Sequence, residues 1–204
     1  MSKIFHRLVA FIGYRIVSPT IYFVFRFVLG WKIDGSLPDI PKMIVAFAPH
    51  TASIDFLSVP ILLVHFNKRP QWIAKKEMFK PPFGPLYYDL GGIAVDREAP
   101  LQATKRIIKF IKEEDKVLLC LAPEGTRNYT NHWKKGFYFI AHKTQIPIVF
   151  IKMNYATRRI TVREALYTTG NIEEDIAEIR PFYDDAVGYH PENFSDIQIL
   201  DSEM

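Results

Sequence analysis

Three short segments of the 204-residue chain carry side chains that together could move a proton and grip an anion. His50 stands five residues before Asp55, Arg97 closes the run Gly91-Gly-Ile-Ala-Val-Asp-Arg97, and Arg127 closes Pro123-Glu-Gly-Thr-Arg127. An imidazole with one nitrogen held by a carboxylate has a fixed tautomer, and its other nitrogen is left to act as a general base. Proton transfer of this kind typically contributes about 10² to 10⁴ in rate. A guanidinium makes paired bonds to a phosphate, so Arg127 is the natural anion clamp and Arg97 a second positive charge.

Spacing restricts how these groups can meet. On a continuous helix, residues five apart point about 140° from one another. His50 must therefore sit in a turn before a helix, with Asp55 in its first turns reaching back. The apolar run Met43 to Phe47, the breaking Pro49, and Thr51 or Ser53 as N-cap candidates predict that arrangement. The Pro123 segment follows the apolar run Val117 to Leu121, and the carboxyl end of a strand is where an open α/β sheet presents its ligand site. There Gly125 permits close backbone approach, Thr126 adds a hydroxyl, and Glu124 is expected to hold Arg127 or the glycerol of a substrate.

Each assignment has a plainer competitor. His50 can cap a helix whose positive end Asp55 offsets. Arg97 can pair with Asp96 or Glu98, and Arg127 with Glu124. Ser53 as a covalent nucleophile fits poorly, because no Gly-x-Ser-x-Gly elbow surrounds it and N-capping explains it better. His65, His132, His142 and His190 show no paired ligand spacing, so no metal site is expected.

The elements that must position these residues alternate along the chain from Trp31 onward. Strands are predicted at Met43 to Phe47, Trp72 to Ala74, Ile93 to Val95, Val117 to Leu121 and Ile146 to Ile151, with Arg159 to Leu166 as an edge strand. Helices are predicted at Phe56 to Phe66, Leu101 to Glu114, Gly136 to Lys143 and Ile172 to Ile179, and after Pro181 the chain reads as a polar, weakly patterned tail. The pattern is that of an α/β fold with a mixed, largely parallel sheet flanked by helices, in one catalytic domain over residues 31–204.

Residues 1–30 differ in character. The stretch from Ile4 to Trp31 is apolar but cut by Arg7, Arg15 and Arg26, leaving ten uncharged residues at most, where a spanning helix needs about twenty. Two short amphipathic helices lying in a membrane interface are expected, broken or kinked at Ser18-Pro19, with the arginines reaching to headgroups. The competing reading packs them on the core. Charge is segregated: residues 1–33 carry five basic side chains and no acid, residues 171–204 carry ten acids against Arg180, and the middle holds a local +8. A basic body favours an anionic lipid surface, at roughly 1 kcal/mol per Lys or Arg. Nucleic acid is not expected, for want of a zinc spacing, helix-turn-helix or basic-aromatic signature. Cys120, the lone cysteine, reads as a packed thiol in a reducing compartment.

Taken in order, these segments resemble the motifs of the glycerophospholipid acyltransferase family, the group that includes 1-acylglycerol-3-phosphate acyltransferase, over nearly the full chain. His50 to Asp55 resembles the first motif, Gly91 to Arg97 the second, Pro123 to Arg127 the third, and Ile146-Pro-Ile-Val149 the fourth. Pro49, Ala122, Asn128 and Phe150 depart from the family pattern beside the chemical residues. The resemblance implies His50 as base, Asp55 as its partner, and Glu124, Gly125 and Arg127, with Thr126 and Arg97 assisting, as phosphate-binding residues. It implies acyl transfer from an acyl-CoA or acyl carrier protein thioester to a lysophospholipid hydroxyl, most simply 1-acylglycerol-3-phosphate, with no resident cofactor. Backbone donors near the third motif would stabilise the oxyanion. It also implies a monotopic enzyme on the cytoplasmic face of a membrane. Other lysolipids, such as a lyso-ornithine lipid, a lipid esterase and a non-enzymatic lipid-binding module are the alternatives.

Overall fold

The computed structural model describes residues 12–82, 84–96 and 98–199, so the expected charged face of Lys3 and Arg7, and Arg97 itself, lie outside the described residues. Among these, seven strands form one sheet: β1 (Lys32–Asp34), β2 (Lys42–Ala48), β3 (Gln71–Lys75), β4 (Gly92–Val95), β5 (Val117–Leu121), β6 (Ile148–Asn154) and β7 (Arg159–Val162). Their spatial order is β1-β7-β6-β2-β5-β3-β4, and every neighbouring pair is parallel except β6 with β7. Helices α1 (Ser18–Phe23), α2 (Ser58–His65), α3 (Gly84–Asp89), α4 (Pro100–Glu113), α5 (Gly136–Thr144) and α6 (Ile172–Ile179) accompany the sheet. The mixed, largely parallel sheet with flanking helices is the architecture that the alternation predicts.

The central strand explains why its sequence reads as an unbroken apolar run. Ile44, Ala46 and Ala48 of β2 pack on one side with Leu119, Phe150, Ile107 and Ile111 of α4, and Ile176 and Ile179 of α6. Met43 and Val45 pack on the other with Leu118, Val149, Ile61 and Leu62 of α2, Phe25 and Trp31. A strand buried on both faces has no polar face to alternate with. Burial of Cys120 on that second face pushes its thiol well above the ordinary range, as a packed thiol requires.

Three expectations are corrected. Strand β7 is not at an edge: β1 lies beyond it, pairing Lys32 with Arg159 and Asp34 with Thr161, and Arg159 Nη1 meets Asp34 Oδ2 at 2.6 Å. A three-residue Lys-Ile-Asp strand is too short for alternation to announce it. The helix does not end at Ser18-Pro19, for residues 12–28 are helical throughout, with π-turns at Gly13–Val17 and Val24–Val28 on either side of α1. A widened turn ahead of the proline accommodates its ring and its missing N–H. The segment after Pro181 is more than a polar tail: Tyr183 is buried edge-on to Trp133 at 5.6 Å, and the backbone N–H of Trp133 donates to Gln198 O at 2.9 Å.

The amino-terminal helix meets two demands at once. On its inner side Phe25 stacks on Trp31 at 4.4 Å, Arg26 donates to Trp31 O at 2.8 Å, and Tyr22 OH lies 2.8 Å from His65 Nδ1. On its outer side Ile16, Phe23, Phe27 and Val28 remain exposed. Among the described residues, no helix is long and apolar enough to cross a membrane. Because Phe25 is 4% exposed and Phe27 66%, Phe25→Ala is expected to lower stability by about 3–5 kcal/mol and Phe27→Ala by no more than about 0.5 kcal/mol in urea titrations. Equal losses would contradict this packing.

Candidate active site

Strands β6, β2 and β5 are adjacent and parallel, so their carboxyl ends open onto one edge of the sheet. Beyond β2 the chain turns through His50 into a short 3₁₀ helix, Ser53–Leu57, which carries Asp55 and leads into α2. Beyond β5 come Pro123 to Arg127, and beyond β6 comes Tyr155. The second motif leaves β4 at the same edge, two strands past β5, which is roughly 10 Å away at normal strand spacing. There Asp96 pairs with Lys76 Nζ at 2.7 Å and accepts from Glu98 N–H at 3.0 Å.

Asp55 is 5% exposed, and both its oxygens are engaged. Oδ2 accepts from the backbone N–H of Thr51 at 2.8 Å and of Ala52 at 2.9 Å, and lies 3.2 Å from His50 Nδ1. Oδ1 accepts from Tyr155 OH at 2.7 Å. Burial alone would raise this carboxyl, but the bonds from His50, Tyr155 and Ala52 outweigh it and hold Asp55 below the usual carboxylate range. With Asp55 facing Nδ1, the other ring nitrogen, Nε2, is the one able to accept a proton. Burial and the same bond raise the Tyr155 phenol well above its ordinary value, so it stays a donor. Of the two hydroxyls expected as N-caps, Thr51 Oγ1 accepts from His190 N–H at 3.1 Å and Ser53 Oγ from Arg127 Nη1.

Glu124 is turned inward. It is 1% exposed, and its two oxygens accept from the backbone N–H of His50 at 2.9 and 3.1 Å. Its hydrogen-bond partner is the turn that carries His50 rather than Arg127, and it fixes the backbone of that turn. Gly125, at φ +68°, makes the left-handed turn that lets the loop double back, its N–H donating to Ala122 O at 3.1 Å. Thr126 Oγ1 accepts from Asn128 N–H at 3.2 Å. Arg127 is exposed and joined to Ser53, which brings the third motif against the first. Among the described residues, no three histidine, cysteine or carboxylate side chains gather as metal ligands would.

Tyr155 is the residue that sequence reasoning missed. It lies one position past β6 and is braced edge-on by Trp31 at 5.0 Å and Tyr189 at 5.4 Å. A lone tyrosine a hundred residues from Asp55 carries no local signal of that contact.

Burial pushes the Glu124 carboxyl up to about 8, with the His50 bond opposing the rise and Asp55 adding to it. Unfolded, it ionises near its ordinary 4.5. Between those values the unfolded chain releases a proton that the folded chain keeps, so rising pH favours unfolding, with a limiting slope of about 1.4 kcal/mol per pH unit that ends above pH 8. Subtracting the stability-pH profile of Glu124→Gln from that of the wild type is expected to leave this decline, and parallel profiles would refute it.

With the geometry in place, known proteins give it a context. The family model described as Acyltransferase matches residues 36–154, a stretch that holds all four motifs. A 1-acyl-sn-glycerol-3-phosphate acyltransferase of Cocos nucifera is 37% identical over 107 residues, covering 49% of this chain and 33% of that protein. The Haemophilus influenzae protein of the same name is 24% identical over 177 residues, covering 82% and 70%, and the Saccharomyces cerevisiae one is 25% identical over 165, covering 76% and 54%. The chain thus spans from a third to about two thirds of the length of these relatives. In fold it is similar to the crystal structure of the 1-acyl-sn-glycerophosphate (LPA) acyltransferase PlsC from Thermotoga maritima, with a TM-score of 0.57 at 21% identity over 85% of this chain and 82% of that one. Since the matched region is more than half of its length and carries each motif in order, the chain belongs to the acyltransferase family.

Proposed function

We propose that the protein transfers a fatty acyl group from an acyl-CoA or acyl carrier protein thioester to the free hydroxyl of a lysophospholipid, with 1-acylglycerol-3-phosphate the leading acceptor and phosphatidic acid the product. The observation that carries the reading is the His50–Asp55 pair at 3.2 Å, in a segment that Arg127 joins through Ser53. Nε2 of His50 takes the hydroxyl proton as the oxygen attacks the thioester carbonyl, the tetrahedral intermediate collapses with cleavage of the C–S bond, and the proton passes to the leaving thiolate. Asp55 offsets the imidazolium charge while Tyr155 holds the carboxylate in place. Arg127 holds the acceptor phosphate, and Arg97 is its proposed assistant. The names of the relatives support the same acceptor.

Thiol release by purified protein, measured across both donor classes with and without lysophosphatidic acid, tests this. Release is expected only when acceptor is present, His50→Ala is expected to slow it by about 10² to 10⁴, and Tyr155→Phe by a smaller factor with a shifted pH profile. Substantial turnover by folded His50→Ala would end the assignment.

We also propose that the enzyme works on a membrane surface. The amino-terminal helix has an exposed apolar side, and Ile54 and Phe56 are exposed on the 3₁₀ turn that carries Asp55. A ring that enters the interface contributes about 1.5–3 kcal/mol. The double variant Phe27→Glu, Val28→Glu is expected to lose most of its co-sedimentation with vesicles containing anionic lipid while keeping its melting temperature. Undiminished binding would rule this surface out.

A further inference from the structure

An open cavity of about 340 Å³ lies beside the turn that carries the base. One wall is the Thr51 to Ser53 stretch of the first motif, a second is Arg127 with Asn128, and the third is His190 with Asn193. That third wall comes from a part of the chain beyond residues 36–154, the stretch that matches the family, and it belongs to none of the four motifs. It is nonetheless built into the site. Tyr155 N–H donates to Val187 O at 2.9 Å, and His190 N–H donates to Thr51 Oγ1 at 3.1 Å. Gly188 lies so close to Thr51 that an added Cβ would come within 2.8 Å of its Cγ2 and Oγ1, so the segment seats on the base-bearing turn only because this residue has no side chain. Tyr189 sits edge-on to both Tyr155 and His190.

The lining is rich in donors: a guanidinium, an imidazole, two carboxamides and a serine hydroxyl. Such a set suits a multiply charged oxyanion, which accepts several bonds at once. We propose that His190 and Asn193 are acceptor-binding residues that, with Arg127 and Asn128, hold the phosphate of the lysolipid headgroup and select for it. The inference rests on the reading above that the site takes a phosphate-bearing acceptor, and it assigns the selectivity to the carboxyl-terminal segment.

Wild type, His190→Ala, His190→Gln and Asn193→Ala would be titrated with sn-glycerol 3-phosphate, with glycerol as the uncharged control, after thermal melts establish that each is folded. Each alanine variant is expected to bind glycerol 3-phosphate about tenfold more weakly, with His190→Gln, which keeps a donor, in between. In the transfer assay the same variants are expected to raise the KM for lysophosphatidic acid about as much while the KM for the acyl donor holds. Unchanged affinity in both folded alanine variants, or a wild type that binds glycerol 3-phosphate no better than glycerol, overturns the proposal. A wild type that binds glycerol 3-phosphate through these residues yet transfers no acyl group overturns the proposed reaction and upholds this inference.

Discussion

A carboxyl group sealed from water at the end of one strand holds the backbone of the turn at the end of its neighbour, and the site is arranged around that contact. Glu124 follows β5, His50 follows β2, and the two strands are paired from Lys42 and Val117 to Ala46 and Leu121. An N–H buried at a strand end costs about 1–3 kcal/mol if it finds no partner. Glu124 removes that cost at His50. The raised affinity of Glu124 for its proton is the electrostatic counterpart of that placement: burial lifts it, and nearby Asp55 lifts it further. Two buried carboxyls on either side of one histidine thus differ in state, Asp55 kept ionised by its donors and Glu124 drawn toward neutrality.

The second layer of support comes from side chains remote in sequence. Asp55 is oriented by two amides of its own turn and by Tyr155, which lies between Trp31 and Tyr189. Trp31 in turn stacks on Phe25. A chain of aromatic contacts therefore runs from the amino-terminal helix to the carboxylate beside His50. The outer side of that helix is apolar and exposed. One short segment both braces the site and presents the exposed apolar side chains on which the proposed membrane contact rests.

Much of the architecture is legible in the residues because it depends on local patterning. Apolar runs such as Val117 to Leu121, bounded by turn formers, mark strands buried on both faces, and the lysines at positions 105, 109 and 112 opposite Ile107 and Ile111 mark an amphipathic helix. The short strand β1 is different, because what makes Lys32–Asp34 a strand is its pairing with β7 and the Arg159–Asp34 contact, both about 125 residues away. The continuous helix through Pro19 likewise depends on turns flanking it and on inner-face packing, which a proline rule applied locally does not contain.

Within the site, the sequence alone determined which chemistry is available: an imidazole and a carboxylate five apart, after a strand, can meet only across a turn, and backbone geometry leaves no other arrangement. Only the tertiary structure decided what each remaining group does. It turned Glu124 inward to the His50 amide, gave Ser53 to Arg127, supplied Tyr155 to Asp55, and brought His190 and Asn193 to the cavity beside them. The reason is one of range: hydrogen bonds and burial act over a few ångströms in space, and the register of β6, β2 and β5 sets which distant residues come within that reach.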